Sequence, residues 1–572
     1  MQNEHFIPGK DASLEHSIAT MQAKLAARGF VVEECSWLNP VDNVWSVHVR
    51  NRDCHLMFTN GKGATKLAAH ASALGEFFER LSTNYFWNHY YLGEAAAHRA
   101  FAHYPRERWF PIAGDAWPEE LLTPELQAFY NPEGSIPAEA LVDLNTGNYE
   151  RGICALPYVR QRDGAEVFFP VNIIGNLYVS NGMSAGNTLA EARAQALSEI
   201  LERHVKFKVI AEGLCLPEVP EEVIARYPAI AAGIQGLREA GFGILVKDAS
   251  LGGRYPVMCV TMLNPHDQGV FASFGAHPRF EVALERALTE LLQGRALAAL
   301  DGFPPPGFDL EEVASAPNIE IHFVDSSGLV HWKFFNEAAD FDFADWNFTA
   351  TTADDYAWLC QRVQEDGYDI YVADFEHLGV YACRILVPGM SEIYPVDDLE
   401  WENNSAGAVV RPAILHLAEL DEGECAQLLD TLNEMNLADE RPVAALIGLA
   451  PDAGSLWEDL RVGELKTLLA LAIGDKDAIL EGCEWVRQFE QLDAGRRRTY
   501  QCIATLLEMD DPDAYEGALV GLYGDETLDM AADLIDGQVR FFGLTSPGLD
   551  LKGCEAHRRL LAEYAKAHAA HL

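Results

Sequence analysis

The stretch SALGEFFER (72–80) reads as one helix with two unlike faces. Residues at i, i+4, i+7 and i+8 share one side of a helix. Ser72, Glu76, Glu79 and Arg80 therefore stand together, with Leu74, Phe77, Phe78 and Leu81 opposite. The pattern returns in QALSEILER (195–203), where Gln195, Glu199, Glu202 and Arg203 oppose Leu197, Ile200, Leu201 and Val205. A third, eroded copy is RALTELLQGR (286–295): Arg286, Glu290 and Gln293 take the places of Ser72, Glu76 and Glu79, and Gly294 that of the arginine. The turns Gly63-Ala-Thr65 and Gly186-Asn-Thr188 precede the first two copies at equal distances.

One copy alone has a plain reading: Glu76 and Arg80 form an i,i+4 ion pair on a solvated face, contributing about 0.3–0.5 kcal/mol. Three copies open a second reading. If the helices converge, their glutamates crowd into one site, and two carboxylates ~5–6 Å apart repel by roughly 3 kcal/mol at an effective dielectric near 20. Such a cluster needs cations or shared protons. Carboxylate oxygens suit hard ions, so Mg2+ is the natural expectation. Mg2+ completes its shell with water and phosphate, and Arg80, Arg203 and Arg286 can clamp phosphate oxygens. The second reading is thus a magnesium-dependent nucleoside triphosphate site.

A di-iron bundle would require Glu-x-x-His, but the third residue on is Glu79, Glu202 or Gln293. The usual nucleotide signatures are absent: in GKGAT (61–65) Lys62 is followed by glycine, and there is no kinase motif set and no GxGxxG after a strand. The residues alone leave both readings open.

A chain of 572 residues implies two to four domains. A formal net charge of −45 argues against direct binding to nucleic acid or to a membrane surface. It does not exclude nucleotides, because a divalent cation reverses the local sign. Eleven cysteines are scattered without a CxxC pair, which disfavours structural zinc and a disulfide framework. MQNEHFIPGK has no signal-peptide pattern and no apolar run reaches the ~18–20 residues of a membrane span, so a cytoplasmic protein is expected.

SLEHSIATMQAKLAARGF (13–30) has helical spacing and stops at Gly29. VVEECSWL, VWSVHVRN, FFPVNIIGNLYVS, YPVMCVTML, IEIHFVDSS, DGYDIYVADF and VYACRILVPG read as strands, and CHLMFTNGKGAT as a strand entering a glycine-rich turn. GFPPPGF (302–308) marks an external connection. WENNSAGAVVRP reads as a linker, followed by amphipathic segments of helix-hairpin length. The expectation is an α/β region over 1–400 and an all-α region over 401–572, either tetratricopeptide-like or an ordinary bundle, serving interaction or homodimer formation.

The three repeated motifs resemble the ATP-binding motifs of the YcaO family. FIPGKDASLEHSI, SWLNPVDNVWSVHVR, FTNGKGATK, NIIGNLYVSNGMSAGNT, FASFGAHP and EHLGVYACRILVPGMSEIYP extend the resemblance from residue 6 to about 400, and the helical part follows more loosely. The resemblance implies a YcaO-type α/β fold with mixed sheets and Mg-ATP among the three helices. By position, Glu76, Glu79, Glu199, Glu202 and Glu290 would ligate magnesium, and Arg203 and Arg286 would contact phosphate. Lys10, Ser17, Ser184 and Glu191 would complete the nucleotide pocket.

Family chemistry phosphorylates a backbone amide oxygen with ATP, so that a nucleophile can add at the carbon to give an azoline, thioamide or amidine. The protein's part is positioning and charge neutralisation, and no residue stands out as a general base. The chain ends KAHAAHL where azoline-forming members carry a proline-rich tail, and no N-terminal peptide-recognition domain is visible. Stand-alone members of this type are associated with β-methylthiolation of an aspartate in a small-subunit ribosomal protein, as accessories to a radical methylthiotransferase. No CxxxCxxC is present, so the chain is not itself the radical enzyme. Two alternatives remain: a peptide-backbone modifying enzyme, and a partner-recruiting scaffold with ATP as a structural ligand.

Overall fold

The structure is a computed structural model that describes residues 4–569 except 94, 95, 97, 147, 148, 398, 400–403 and 490. The expected boundary at 400/401, the start of the WENNSAGAVVRP linker and the end of KAHAAHL lie outside the described residues.

Three antiparallel sheets organise the first two thirds of the chain. β1 (Val32–Val41), β2 (Val44–Asn51) and β3 (Phe58–Gly63) form a meander. β4 (Arg108–Phe110), β5 (Ile153–Arg160), β6 (Glu166–Pro170) and β7 (Met183–Gly186) belong to a second sheet. β8 (Gly243–Asp248), β9 (Val257–Leu263) and β10 (Val270–Ala276) make the third. β11 (Tyr371–Phe375) and β12 (Tyr381–Leu386) complete the second in the order β4-β5-β11-β12-β7, with β6 on β5.

Each repeated motif is a helix that leaves a strand almost at once. The first (Lys66–Ser82) follows β3, the second (Leu189–Glu212) follows β7, and the third (Phe280–Leu291) follows β10. The matching upstream turns are helix caps. Thr65 Oγ1 accepts from the amide of Ala68 and Thr188 Oγ1 from that of Glu191, both at 3.1 Å. The third helix has no such threonine; Asn347 Oδ1 takes the Phe280 amide at 3.2 Å.

Gly61 to Gly63 do not form the expected turn but lie within β3. A Cβ at Gly61 would stand 2.0 Å from the carbonyl oxygen of Ala69, so the glycine is required for the first helix to rest on the strand backbone. Two further strand readings are corrected. In FFPVNIIGNLYVS the strand ends at Pro170, and Val171–Ile173 with Ile174–Tyr178 are helical. Burial of the whole apolar run, which periodicity cannot distinguish from a core strand, decides its conformation. IEIHFVDSS lies mostly in the helix Ala316–Val324, opened by Pro317 in its first turn. Its buried residues Asn318 and His322 are four apart, a helical spacing that the alternating isoleucines disguise.

Helices dominate from residue 406 onward, as expected. Glu422–Glu434, Val462–Ile473, Lys476–Gln488, Ala494–Glu508 and Asp525–Ile535 share one core that includes Leu432, Leu465, Leu468, Val486 and Ile503. The helix Glu555–Ala569 packs elsewhere. Its Leu560, Tyr564 and Ala567 join Phe77, Phe78 and Leu81 on the back of the first motif helix, together with Trp87. Tyr564 also donates to the Ala102 carbonyl at 2.7 Å, and Asn51 Nδ2 to Glu563 Oε2 at 2.9 Å. All eleven cysteines are unpaired, and among the described residues no helix is long and apolar enough to cross a membrane.

Candidate functional site

The polar faces of the three motif helices meet at one cavity of about 750 Å3. All twelve candidate residues line it: Lys10, Ser17, Glu76, Glu79, Arg80, Ser184, Glu191, Glu199, Glu202, Arg203, Arg286 and Glu290. The i,i+4 ion pairs of the plain reading are present, Arg80 to Glu76 at 3.2 Å and Arg203 to Glu199 at 2.7 Å. They face this cavity and not open solvent, and none of the four side chains is more than 30% exposed.

The remaining charges have defined partners. Arg80 also reaches Glu79 at 3.7 Å and lies over the Tyr85 ring. Arg203 donates to Asn181 Oδ1 at 3.0 Å and lies over Phe323. Arg286 donates to Gln195 Oε1 at 2.5 Å, tying the third helix to the second. Glu202 Oε2 accepts the Ala276 amide at 3.0 Å, and Lys62 pairs with Glu290.

The carboxylates crowded into one half-enclosed space leave their mark on proton affinity. Burial, with the nearby charges of Glu199 and Glu76, lifts Glu79 well above the usual carboxylate range despite Arg80 and Arg203. Burial also opposes the charge of Arg80, but Glu76 and Glu79 outweigh it and hold the guanidinium above its ordinary value. Lys62 is drawn down to about 8 by burial and by Arg286, against the pull of Glu202, Glu76 and Glu199. Beside Arg286, burial and Glu281 raise Glu285 to about 7.

Among the described residues no three His, Cys, Asp or Glu side chains stand as a ready-made metal cage. The donor set nevertheless fits Mg2+, which needs only one or two carboxylates and takes water and phosphate for the rest. The donors are hard oxygens, gathered on facing walls of one cavity.

A separate hydrogen-bonded group forms at the N-terminal side. Lys10 Nζ lies 3.2 Å from Glu191 Oε1, and the Asp11 amide donates to Glu191 Oε2 at 3.0 Å. Asn187 Nδ2 donates to the same oxygen at 2.9 Å, while its Oδ1 accepts from Ser17 Oγ at 2.8 Å. Asn187 thus joins Ser17 to Glu191, and through Glu191 to Lys10. Ser184 lines the cavity from β7, its hydroxyl 3.4 Å from the Ala185 carbonyl and outside this group. Sequence reasoning passed over Asn187, although it sits within the matching turn Gly186-Asn-Thr188. In the sequence Lys62 reads only as a lysine at the wrong spacing for a P-loop, and Glu285 next to Arg286 gives no signal because no other copy repeats it.

Strand followed by helix, three times over, makes an α/β protein in which three helix faces line one cavity, with no glycine-rich phosphate loop there among the described residues. The chain belongs to the YcaO family: residues 60–391 match the model described as YcaO cyclodehydratase, ATP- and Mg2+-binding, and residues 407–572 match the YcaO cyclodehydratase C-terminal domain. ATP and Mg2+ are accordingly its ligands. It is 52% identical, over 99% of its length and 98% of the relative's, to the ribosomal protein S12 methylthiotransferase accessory factor YcaO of Escherichia coli. It is 48% identical, over 100% and 99%, to an uncharacterised protein of Haemophilus influenzae. Solved structures that the chain matches include a heterocyclase in complex with substrate and cofactor (17% identity, 69% of this chain and 56% of that one, TM-score 0.47). Another is the YcaO of Methanopyrus kandleri bound with AMPPCP and Mg2+ (19% identity, 70% and 97%, TM-score 0.42).

Proposed function

We propose that this chain is an Mg-ATP-dependent accessory factor for β-methylthiolation of an aspartate in ribosomal protein S12, acting beside a radical methylthiotransferase. The observation that carries this reading is the 52% identity, over nearly the full length of both chains, to a relative bearing that role in its name.

Within it, Glu76, Glu79, Glu199, Glu202 and Glu290 supply the oxygens for Mg2+, and Arg80, Arg203 and Arg286 take the phosphates. Lys10, Ser17, Ser184 and Glu191 hold the rest of the nucleotide. Mg2+ supplies charge neutralisation at the phosphates when bound. The chemistry is amide activation. ATP would supply a phosphoryl group to the amide oxygen with loss of ADP, and a nucleophile that gives up its proton would then add at the carbon of this O-phosphorylated amide and expel phosphate. The helical region beyond residue 406 serves as the surface for the partner proteins or for a second copy of the chain.

The test is a titration of ATP, with and without Mg2+, into wild type and Glu202→Ala. Binding that needs Mg2+ and is lost in the variant supports the metal site; equal binding by both defeats it. Phosphate release is then followed with and without S12 and the methylthiotransferase, with the mass of S12 as the second readout. Release that ignores both partners would defeat the accessory role.

A further inference from the structure

Lys62 is held in the cavity by a strand, whereas Arg80, Arg203 and Arg286 stand on helices and Lys10 on the segment before the helix Leu14–Ala27. Gly61 and Gly63 on either side press toward the first motif helix, where Cβ atoms would meet Ala69 and Ala68. Lys62 points the other way by the alternation of a strand and reaches Glu290 on the third helix. Its position is therefore fixed between two walls of the site. A fastener between the first sheet and the end of the third helix already exists without it. Gln293 Nε2 donates to the Asn60 carbonyl at 2.7 Å, and the Gly294 amide to Ser46 Oγ at 3.2 Å.

The arginines each have further anchors, in Tyr85, in Asn181 with Phe323, and in Gln195. Glu290 is the salt-bridge partner of Lys62. An Mg2+ ion coming to Glu290 competes directly with that ammonium for the same carboxylate. Once displaced, the ammonium remains in a cavity whose incoming anion is a triphosphate, and lysine binds phosphate as a compact point charge with three donors.

We propose that Lys62 is a phosphate-binding residue of the site, which exchanges Glu290 for the nucleotide when the metal arrives. The inference rests on the Mg-ATP reading of the cavity and adds to it a residue and an order of charge exchange.

The exchange predicts opposite changes in two affinities. Lys62→Met and Lys62→Arg are compared with wild type by Mn2+ titration without nucleotide, read by EPR, and by calorimetric titration of Mg-ATP. Lys62→Met should bind Mn2+ alone several-fold more tightly, because Glu290 is no longer occupied. It should bind Mg-ATP about tenfold more weakly, roughly one charge-assisted hydrogen bond. Lys62→Arg should keep Mg-ATP binding and weaken Mn2+ alone, since a guanidinium grips the carboxylate more firmly. A parallel loss of both affinities in Lys62→Met, or no change in either, overturns the proposal and leaves Lys62 a structural fastener. Wild type that fails to bind Mg-ATP overturns the nucleotide reading itself, a result visible before any variant is made.

Discussion

A Cβ on Gly275 would lie 2.3 Å from the backbone nitrogen of Ala287, so the third motif helix rests directly on β10. Gly61 stands in the same relation to the first helix, and Gly186 to the second, where a Cβ would come 2.8 Å from the Ala192 nitrogen. Gly275→Ala and Gly61→Ala should each cost at least about 2 kcal/mol, since the obstacle is backbone that cannot turn aside. Both should also weaken Mg-ATP binding by shifting a glutamate-bearing face. Gly521→Ala, in the open helix Glu516–Tyr523, is the control and should stabilise by about 0.5–1 kcal/mol. Thermal melts paired with ATP titration check all three.

Asn187 links Ser17 to Glu191 through the two ends of one amide. Asn187→Ala should lower nucleotide affinity by about tenfold, the worth of one good hydrogen bond, with little change in melting temperature. Asn187→Asp should be worse than alanine, because it sets a second carboxylate against Glu191. Binding titrations that rank aspartate above alanine would contradict this arrangement.

Glu464 is fully buried in the helical region, where Tyr500 donates to its Oε1 at 3.1 Å and Arg496 Nε lies 3.2 Å away. Burial raises it from 4.5 to about 7, with Arg496 and Tyr500 restraining the rise and Asp459 and Asp493 adding to it. Between those two values the folded chain holds a proton that the unfolded chain has lost. Its contribution to stability is therefore greatest below about 4.5 and declines as pH rises through about 7. Glu464→Gln should remove this decline, so the stability difference between variant and wild type should grow in the variant's favour from pH 5 to pH 8 (roughly the window set by linkage). Denaturant melts across that range measure it.

Leu560 is fully buried against the back of the first motif helix. Leu560→Ala should cost about 2–5 kcal/mol by leaving a cavity there. Because Phe77 and Phe78 lie on the other side of the helix from Glu76 and Glu79, Mg-ATP affinity should fall with it. A destabilised variant with unchanged affinity would show that the wall stands without this backing.

The site was largely legible because its chemistry is carried by helix periodicity, and periodicity survives in a single sequence when it is repeated. Glu76, Glu199 and Glu290 announce one another. Lys62 and Asn187 sit in a strand and a turn, where one polar residue has no echo. Gly61 to Gly63 resembled a turn because glycine marks both a reversal and a close approach, and only the packed helix tells which applies. The β-rich look of VNIIGNLYVS yielded to tertiary burial, which local propensity cannot foresee, and that of IEIHFVDSS to a helix opened by Pro317 that leaves Ile321 and Val324 exposed. The ion pairing of Lys62 with Glu290 depends on bringing together residues from two distant segments, and no spacing rule reaches that far.

Trp87 donates its indole N–H to the carbonyl of Leu560, a residue 473 positions later, at 3.1 Å. At 5–20 residues per second the ribosome needs on the order of 25–95 s to travel between them. Through all that time the back of the first motif helix, with Phe77, Phe78 and Leu81, has yet to meet its last partner. The wall that carries Glu76 and Glu79 is therefore synthesised long before the helix that backs it.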